Sequence, residues 1–291
     1  MASDIILRDA ATLGSINIVL WLISLPLGKT WPVDFIWSCW PPLMCATIIV
    51  RSGSSNQNGD CHRMLIVCTL TAIWGYRLTH NFVSRGGVGH EDWRYTNMRA
   101  QFGSHFWWIS LFSVFLGQTA FLFGACLSLY GALENALPVG MSDAAGSIVC
   151  ACAILLEMAA DIQLDWHQAA RREKRTEEVI LRTGLWAWSR HPNYMGELMF
   201  WWGLWIFGAP VAPRWVVCGP LGITFLFTCI SVKLVEDRQL ANKGDLYRAY
   251  QREVPSPLLL LPPSVCRWFG AAARGASGSA KGSAKSGASK R

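Results

Sequence analysis

Long apolar stretches separated by short polar segments dominate the sequence. Several of them approach the ~20 residues that a helix needs to cross the hydrocarbon core of a bilayer. The candidate spans cover residues 10–28, 33–50, 64–83, 105–130, 144–164, 196–212 and 215–235. The pattern therefore predicts an all-α fold, a polytopic bundle of about six to seven transmembrane helices.

Proline makes two of these spans less regular than the others. The second span contains Pro41-Pro42, which is expected to kink or break a helix because proline lacks the amide N–H. The sixth span ends in Ala-Pro-Val-Ala-Pro at residues 209–213. Either segment is compatible with a shortened or re-entrant helix, and this is why the predicted number of helices is not fixed.

Composition agrees with a membrane protein. Of the 291 residues, 52% are apolar and only 15% are charged, which excludes an ordinary soluble domain. The net charge of +7 falls mainly in loops and in the C-terminal tail, so we expect no nucleic-acid partner. The 10 cysteines lie mostly in apolar spans, and no histidine lies at metal-ligand spacing from Cys150 and Cys152, so we expect no metal site.

Three regions follow from this organisation. Residues 1–59 are predicted to hold the N-terminal transmembrane spans, and residues 60–262 the main membrane domain. Residues 271–291 contain only small and basic side chains, which cannot bury enough apolar area to fold. This segment is predicted to be a disordered basic tail.

Basic residues predict the orientation of the chain. Arginine and lysine are frequent after the third and fifth spans and in the tail, whereas the loop at 131–143 contains neither. Cytosolic loops carry the excess of positive charge in membrane proteins. The C-terminus is therefore predicted to be cytosolic.

A dense polar cluster lies at residues 182–203, at the start of a Trp-rich span. Pro192 suits the first turn of a helix, so a turn is predicted at residues 189–191 and a helix from about Asn193. On that helix Asn193, Tyr194, Glu197 and Trp201 share one face. Arg190 and His191 precede the helix start, a position that suits an anion such as a phosphate. The alternative is that an arginine and a tyrosine only anchor the helix at the interface.

Three further clusters are predicted on the cytosolic side. The first, at residues 76–99, contains Tyr76, Glu91 and Tyr95 around a glycine-rich loop. The second is a stripe on one helix face, and it consists of Glu157, Asp161, Asp165 and Gln168. The third contains Tyr247, Arg248 and Tyr250. Each cluster is also open to a structural interpretation, respectively as a solvated loop, as ion pairs and as an interfacial aromatic belt.

Several motifs resemble the steroid 5α-reductase C-terminal superfamily, and in particular its poorly characterised polytopic branch. They are Gly-His-Glu-Asp-Trp-Arg-Tyr at 89–95, Glu-Met-Ala-Ala-Asp-Ile-Gln at 157–163, Gly-Leu-Trp-Ala-Trp-Ser-Arg-His-Pro-Asn-Tyr-Met-Gly-Glu at 184–197, and Tyr-x-x-Tyr at 247–250. The resemblance covers roughly residues 60–262. It implies a membrane enzyme of the endoplasmic reticulum that uses NADPH to reduce a carbon–carbon double bond in a lipid or sterol-like substrate.

The resemblance also implies roles for individual residues. The nucleotide would be held by Asp161, Asn193, Tyr194 and Glu197. Further candidates come from the helix start, from Trp201 and from the C-terminal cluster; they are Arg190, His191, Trp201, Tyr247, Arg248 and Tyr250. A reductase also needs a proton donor, for which Tyr95, Glu91 and Tyr76 are the candidates.

The resemblance leaves two questions open. The first two spans carry Asn17, Lys29 and Asp34 in place of the Gln and Glu pair with which steroid 5α-reductases grip a steroid ketone, so a steroid substrate is not implied. The Arg-His-Pro motif is also similar to isoprenylcysteine carboxyl methyltransferases and phospholipid methyltransferases, which use S-adenosylmethionine. A methyltransferase and a non-catalytic lipid-binding protein therefore remain alternatives.

Overall fold

A computed structural model describes residues 3–54 and 60–265, and in this part of the chain the regular elements are all helical. The α-helices are α1 (Ser3–Leu27), α2 (Trp31–Ser54), α3 (Cys61–Ser84), α4 (Trp93–Phe102), α5 (Phe106–Ser110), α6 (Gly117–Leu133), α7 (Met141–Arg172), α8 (Pro192–Gly208), α9 (Cys218–Phe225), α10 (Val232–Lys243) and α11 (Asp245–Glu253). Short 3-10 or π-helical segments join several of them. The predicted tail at 271–291 lies outside the described residues.

Five helical stretches of the described chain are long and apolar enough to cross a bilayer. They are Asp4–Leu27, Trp31–Arg51, Trp93–Leu133, Met141–Arg172 and Arg214–Lys243. The structure thus confirms the predicted all-α, polytopic membrane fold. The third and sixth predicted spans are also helices, but α3 carries Arg63 and Arg77, and α8 has only 17 residues. Polar content and length are why these two differ from the other five.

The sequence predicts a kink or a break at Pro41-Pro42; helix α2 continues through both prolines, which excludes the break. Pro42 leaves the carbonyl of Ser38 without its helical N–H partner. Helix α3 packs closely against this point. A Cβ atom added to Gly75 would lie only 2.7 Å from the Ser38 carbonyl oxygen. The hydroxyl groups of Ser38 and Thr79 are hydrogen-bonded at 2.8 Å. Packing and this hydrogen bond stabilise the helix at its weakest point.

The chain divides into two compact units. Within the described residues, unit 1 consists of the chain up to Ile154 together with Leu198–Leu226, and unit 2 of Leu155–Glu197 together with the chain from Phe227 onward. In unit 1 the indole of Trp74 stacks on the ring of Phe200 at 4.9 Å and meets Trp201 edge-on at 5.2 Å. Unit 1 also buries an ion pair between Arg63 and Asp143, at 2.5 Å.

Candidate functional site

The polar cluster at the start of α8 is held by the chain segment that follows α11. Helix α8 begins at Pro192, as the sequence predicted. Just before it, the backbone N–H groups of Arg190 and His191 donate to the carbonyls of Ser256 at 3.2 Å and Pro257 at 2.9 Å. The hydroxyl of Ser189 donates to the carbonyls of Pro257 and Leu258, both at 3.0 Å. The turn is thus fixed by backbone pairing.

Glu236 of α10 is the charged centre of this arrangement. Its carboxylate accepts from Nε of Arg190 at 2.5 Å and lies 3.3 Å from Nε2 of His191. It also accepts from the side-chain amide of Gln251 at 3.0 Å and from the hydroxyl of Tyr247 at 3.5 Å. Sequence reasoning gave Glu236 no role, because nothing in its local pattern shows which residues α10 meets.

The positive charge of Arg190 is already compensated within the protein. Besides its pairing with Glu236, its Nη1 donates to the carbonyls of Val254 at 2.7 Å and Pro255 at 2.8 Å. Its side chain is only 8% exposed. The sequence predicts that Arg190 contacts a phosphate. In the structure its guanidinium already binds Glu236 and two backbone carbonyls, so it also has a structural role.

A cavity of about 620 Å³ lies in unit 2 next to this cluster. Four cationic side chains line it, and no aspartate or glutamate of the described residues does. The cationic residues are Arg171, Arg172, Arg190 and Lys243. Such a lining favours an anionic ligand, because the charged side chains that line the cavity are all cationic.

Aromatic side chains form a second part of the cavity lining. The ring of Tyr194 stacks on the imidazole of His191 at 5.4 Å, with an interplanar angle of 18°. The rings of Tyr247 and Tyr250 lie 5.8 Å apart, and the hydroxyl of Tyr250 donates to the carbonyl of Trp186 at 2.7 Å. Together with the cations, these rings give the cavity the features that bind phosphates and planar bases.

Both tyrosines of α11 are held in their neutral form. Burial raises the pKa of the Tyr247 hydroxyl, and the nearby carboxylate of Glu236 raises it further. Burial also raises the pKa of Tyr250, with a smaller contribution from Tyr247. At neutral pH both hydroxyls therefore remain hydrogen-bond donors toward their surroundings.

Two polar atoms at the cavity have no hydrogen-bond partner among the described residues. They are Oδ1 of Asn193 in the first turn of α8 and Nε2 of His167 on α7. Both atoms are buried, and both residues line the cavity. Buried polar atoms are normally hydrogen-bonded, so atoms without a partner beside a cavity indicate where a ligand or water binds.

Of the ten predicted nucleotide-binding residues, six line the cavity and four do not. The six are Arg190, His191, Asn193, Tyr194, Tyr247 and Tyr250. Asp161 and Glu197 are buried in unit 2 but do not line it. Trp201 belongs to unit 1, and Arg248 is exposed and pairs with Asp245 of its own helix at 3.2 Å.

Sequence reasoning did not assign several residues of the cavity. These are His167, Arg171 and Arg172 on α7, and Gln239 and Lys243 on α10, besides Trp186. Arg171 and Arg172 follow Gln168 by three and four residues and so continue the stripe of Glu157, Asp161, Asp165 and Gln168. Extending that stripe to the end of α7 would have predicted these two arginines.

The candidate proton donors lie in unit 1 and differ sharply in their surroundings. Tyr95 is 3% exposed; its hydroxyl donates to Oδ1 of Asp34 at 2.7 Å and accepts from Nε2 of Gln118 at 3.0 Å. The carboxylate of Glu91 accepts from the backbone N–H of Thr30 at 2.8 Å and from Arg99 at 3.1 Å.

Tyr76, the third candidate, is 72% exposed and lies beside the ring of His80. Of the three candidate proton donors, Tyr95 is thus the one whose hydroxyl is buried and oriented by two polar partners.

Among the described residues, no group of three or more metal-ligating side chains is close enough to hold a metal ion.

These features define a polytopic helical membrane protein with a cationic and aromatic cavity. Residues 20–254 match a family described as a protein of unknown function (DUF1295), and the chain belongs to this family. It is also similar to an uncharacterized protein of Schizosaccharomyces pombe, with 27% identity over 262 residues that cover 81% of this chain and 74% of the relative. No solved structure matches the chain.

Proposed function

We propose that the protein is a membrane-embedded reductase that uses NADPH to reduce a carbon–carbon double bond in a lipid or sterol-like substrate. We also place it, on the motifs at 89–95, 157–163 and 184–197, within the steroid 5α-reductase C-terminal superfamily. The observation that carries the proposal is the cavity of unit 2. Its volume of about 620 Å³ lies within the range of small-molecule and cofactor sites.

The residues of the cavity fit a phosphorylated dinucleotide. Its phosphate groups require positive charge, which the cationic lining of the cavity provides. Its bases require aromatic surfaces, which Tyr194 and Tyr247 provide. Oδ1 of Asn193 can accept a hydrogen bond from a carboxamide or an amino group. When bound, NADPH supplies a hydride to one carbon of the double bond.

The second carbon then requires a proton. Tyr95 is the donor that we favour, because Asp34 and Gln118 fix the position of its hydroxyl. Glu91 is held in a structural role by Thr30 and Arg99, which makes it the weaker candidate. In this mechanism Tyr95 moves the proton, while Asp34 and Gln118 position it.

Charge also favours the reductase over the alternative cofactor. S-adenosylmethionine carries a sulfonium cation, and a cavity lined by four cationic side chains repels it. A methyltransferase would be expected to place carboxylates around that cation, and no aspartate or glutamate of the described residues lines the cavity. The methyltransferase therefore stays the second candidate, supported only by the Arg-His-Pro motif at 190–192.

The cellular setting is part of the proposal. The resemblance to sterol-reducing enzymes favours the endoplasmic reticulum. The positive residues that follow the third and fifth spans favour a cytosolic C-terminus. Epitope accessibility at the C-terminus in selectively permeabilised cells tests this orientation.

A ligand titration tests the cofactor directly. Full-length protein in a neutral detergent is titrated with NADPH, NADH and S-adenosylmethionine while Trp fluorescence and thermal unfolding are followed. At a hundredfold excess over its Kd, NADPH is expected to raise the free energy of unfolding by about 2.7 kcal/mol. Asn193→Ala should weaken binding, whereas Asn242→Ala, an exposed residue of α10 outside the cavity, should not.

The outcomes separate the candidates. Stabilisation by NADPH that Asn193→Ala reduces supports the reductase. Stabilisation by S-adenosylmethionine alone would support the methyltransferase. No response to any of the three compounds would favour a lipid-binding protein without enzymatic activity.

A further inference from the structure

Three cationic side chains that line the cavity come from the ends of two helices. Arg171 and Arg172 are the last residues of α7, and Lys243 is the last residue of α10. All three line the cavity. The charge of Arg171 acts on Lys243, and the charges of both residues act on His167. Arg171 and Lys243 are thus close enough to repel each other, and Arg172 adds a third positive charge to the lining.

No carboxylate in the described part of the chain forms an ion pair with these three residues, whereas neighbouring cations are paired. Arg175 contacts Glu173 at 2.6 Å, and Arg190 contacts Glu236 at 2.5 Å. Like charges that converge without a counterion destabilise the folded state. An anionic ligand would remove this repulsion, so the cluster has the property of a binding site.

A second observation points to the same place. Nε2 of His167 is buried, lines the cavity and has no hydrogen-bond partner among the described residues. A bound anion favours the charged imidazole, in which both ring nitrogens carry a proton, so Nε2 then donates a hydrogen bond to a ligand oxygen. The cluster therefore combines three charges with one oriented donor.

The chemistry of the site fits a phosphate monoester. Such a group carries a charge of about −1.5 to −2 at neutral pH and has three acceptor oxygens. One arginine guanidinium group binds two phosphate oxygens at once, and the lysine ammonium group adds a point charge. Both helices present their C-terminal carbonyl ends here, which disfavour an anion. Side-chain charge must therefore provide the attraction, and binding should weaken strongly with salt.

We infer that Arg171, Arg172 and Lys243 form a phosphomonoester subsite that receives the 2′-phosphate of the nucleotide and selects NADPH over NADH. This inference rests on the proposed function, because the 2′-phosphate is the group by which the two dinucleotides differ. It assigns a specificity role to residues that neither the motifs nor the family description mark.

The test compares affinities in the full-length protein in neutral detergent. The Kd values of NADPH and NADH are measured by Trp fluorescence for the wild type, for Arg171→Gln/Arg172→Gln, for Lys243→Gln and for Arg175→Gln. The double variant and Lys243→Gln should lose at least about tenfold in NADPH affinity and little in NADH affinity. Arg175→Gln is the matched control and should behave as the wild type, because Arg175 is paired with Glu173.

Equal losses for both dinucleotides, or no loss for either, would overturn the assignment of the 2′-phosphate while leaving cofactor binding intact. A parallel titration with 2′-AMP and adenosine does not depend on the reductase proposal. Stabilisation by 2′-AMP that the double variant loses supports the subsite even when neither dinucleotide binds. No stabilisation by 2′-AMP would overturn it. Displacement of 2′-AMP by vesicles of phosphatidic acid, but not phosphatidylcholine, would reassign the subsite to a lipid headgroup.

Discussion

Arg190 and Glu236 form a buried ion pair, with Nε of the arginine 2.5 Å from Oε1 of the carboxylate. The pair joins the turn before α8 to α10, and the same guanidinium holds the carbonyls of Val254 and Pro255. One arginine thus connects three segments of unit 2 beside the cavity. Its loss should affect folding as well as ligand binding.

Removing the partner of Arg190 should destabilise the protein. Glu236→Gln leaves a guanidinium that is 8% exposed without a countercharge, and the expected loss is about 3 kcal/mol. Thermal unfolding followed by Trp fluorescence measures the effect. Asp237→Asn is the matched control, because its pair with Lys233 is 60% and 71% exposed and should contribute less than about 1 kcal/mol. Equal changes in the two variants would contradict the structural role of Glu236.

Tyr95→Phe should separate binding from turnover. The variant removes one hydroxyl and leaves the cavity of unit 2 unchanged, so NADPH binding should persist. Loss of a general acid lowers the rate by roughly 10²–10⁴-fold. NADPH consumption with a panel of lipid and sterol enones provides the assay, and Tyr76→Phe should retain full activity because that side chain is 72% exposed. A Tyr95→Phe protein with the wild-type rate would exclude Tyr95 as the donor.

The contact between α2 and α3 predicts a strong effect at one glycine. A Cβ atom on Gly75 would lie 2.7 Å from the Ser38 carbonyl oxygen and 2.9 Å from Cγ of Pro42. Gly75→Ala should therefore lower stability by about 1–3 kcal/mol. Gly14→Ala on α1 meets nothing within 4 Å and should change stability by less than about 1 kcal/mol. Similar unfolding temperatures for the two variants would show that the helices do not pack this closely.

Alkaline pH should destabilise unit 2 through Tyr247 and Tyr250. Burial raises the pKa of both hydroxyls above that of an unfolded tyrosine, about 10. Above this pH the unfolded chain releases protons that the folded chain retains, so the contribution of these two hydroxyls to stability is constant below about pH 9 and falls above about pH 10. Unfolding temperatures measured across this range should show the decline. Tyr247→Phe should reduce it and Tyr76→Phe should not; a decline unaffected by Tyr247→Phe would assign it to other groups.

The helices were largely predictable, because apolar runs and Pro192 are local signals. Proline at the first helical position suits the start of α8, and the structure begins the helix there. Pro41 and Pro42 misled the sequence interpretation, since the residue that accommodates them, Gly75, lies on another helix. The expected break depended on a tertiary contact that the local pattern does not contain.

The candidate site was predictable only in part. Asn193 and Tyr194 line the cavity, but Trp201, on the same predicted helix face, belongs to unit 1. The helical period shows which residues share a face. It does not show which part of the protein each turn contacts. Lys243 and Arg171 come together from helix ends that are far apart in sequence, and Glu236 meets Arg190 in the same way. Such pairings follow from packing alone.

Hydride transfer tests the central claim most directly. Purified full-length protein is incubated with a lipid extract, S-adenosylmethionine with a labelled methyl group, and NADPH that carries deuterium at the transferred position of the nicotinamide, and the lipids are analysed by mass spectrometry. We expect one carbon-bound deuterium in a reduced lipid with the wild type, formed roughly 10²–10⁴-fold more slowly with Tyr95→Phe. A lipid that instead gains a labelled methyl group from S-adenosylmethionine, with no deuterium from NADPH, would contradict it.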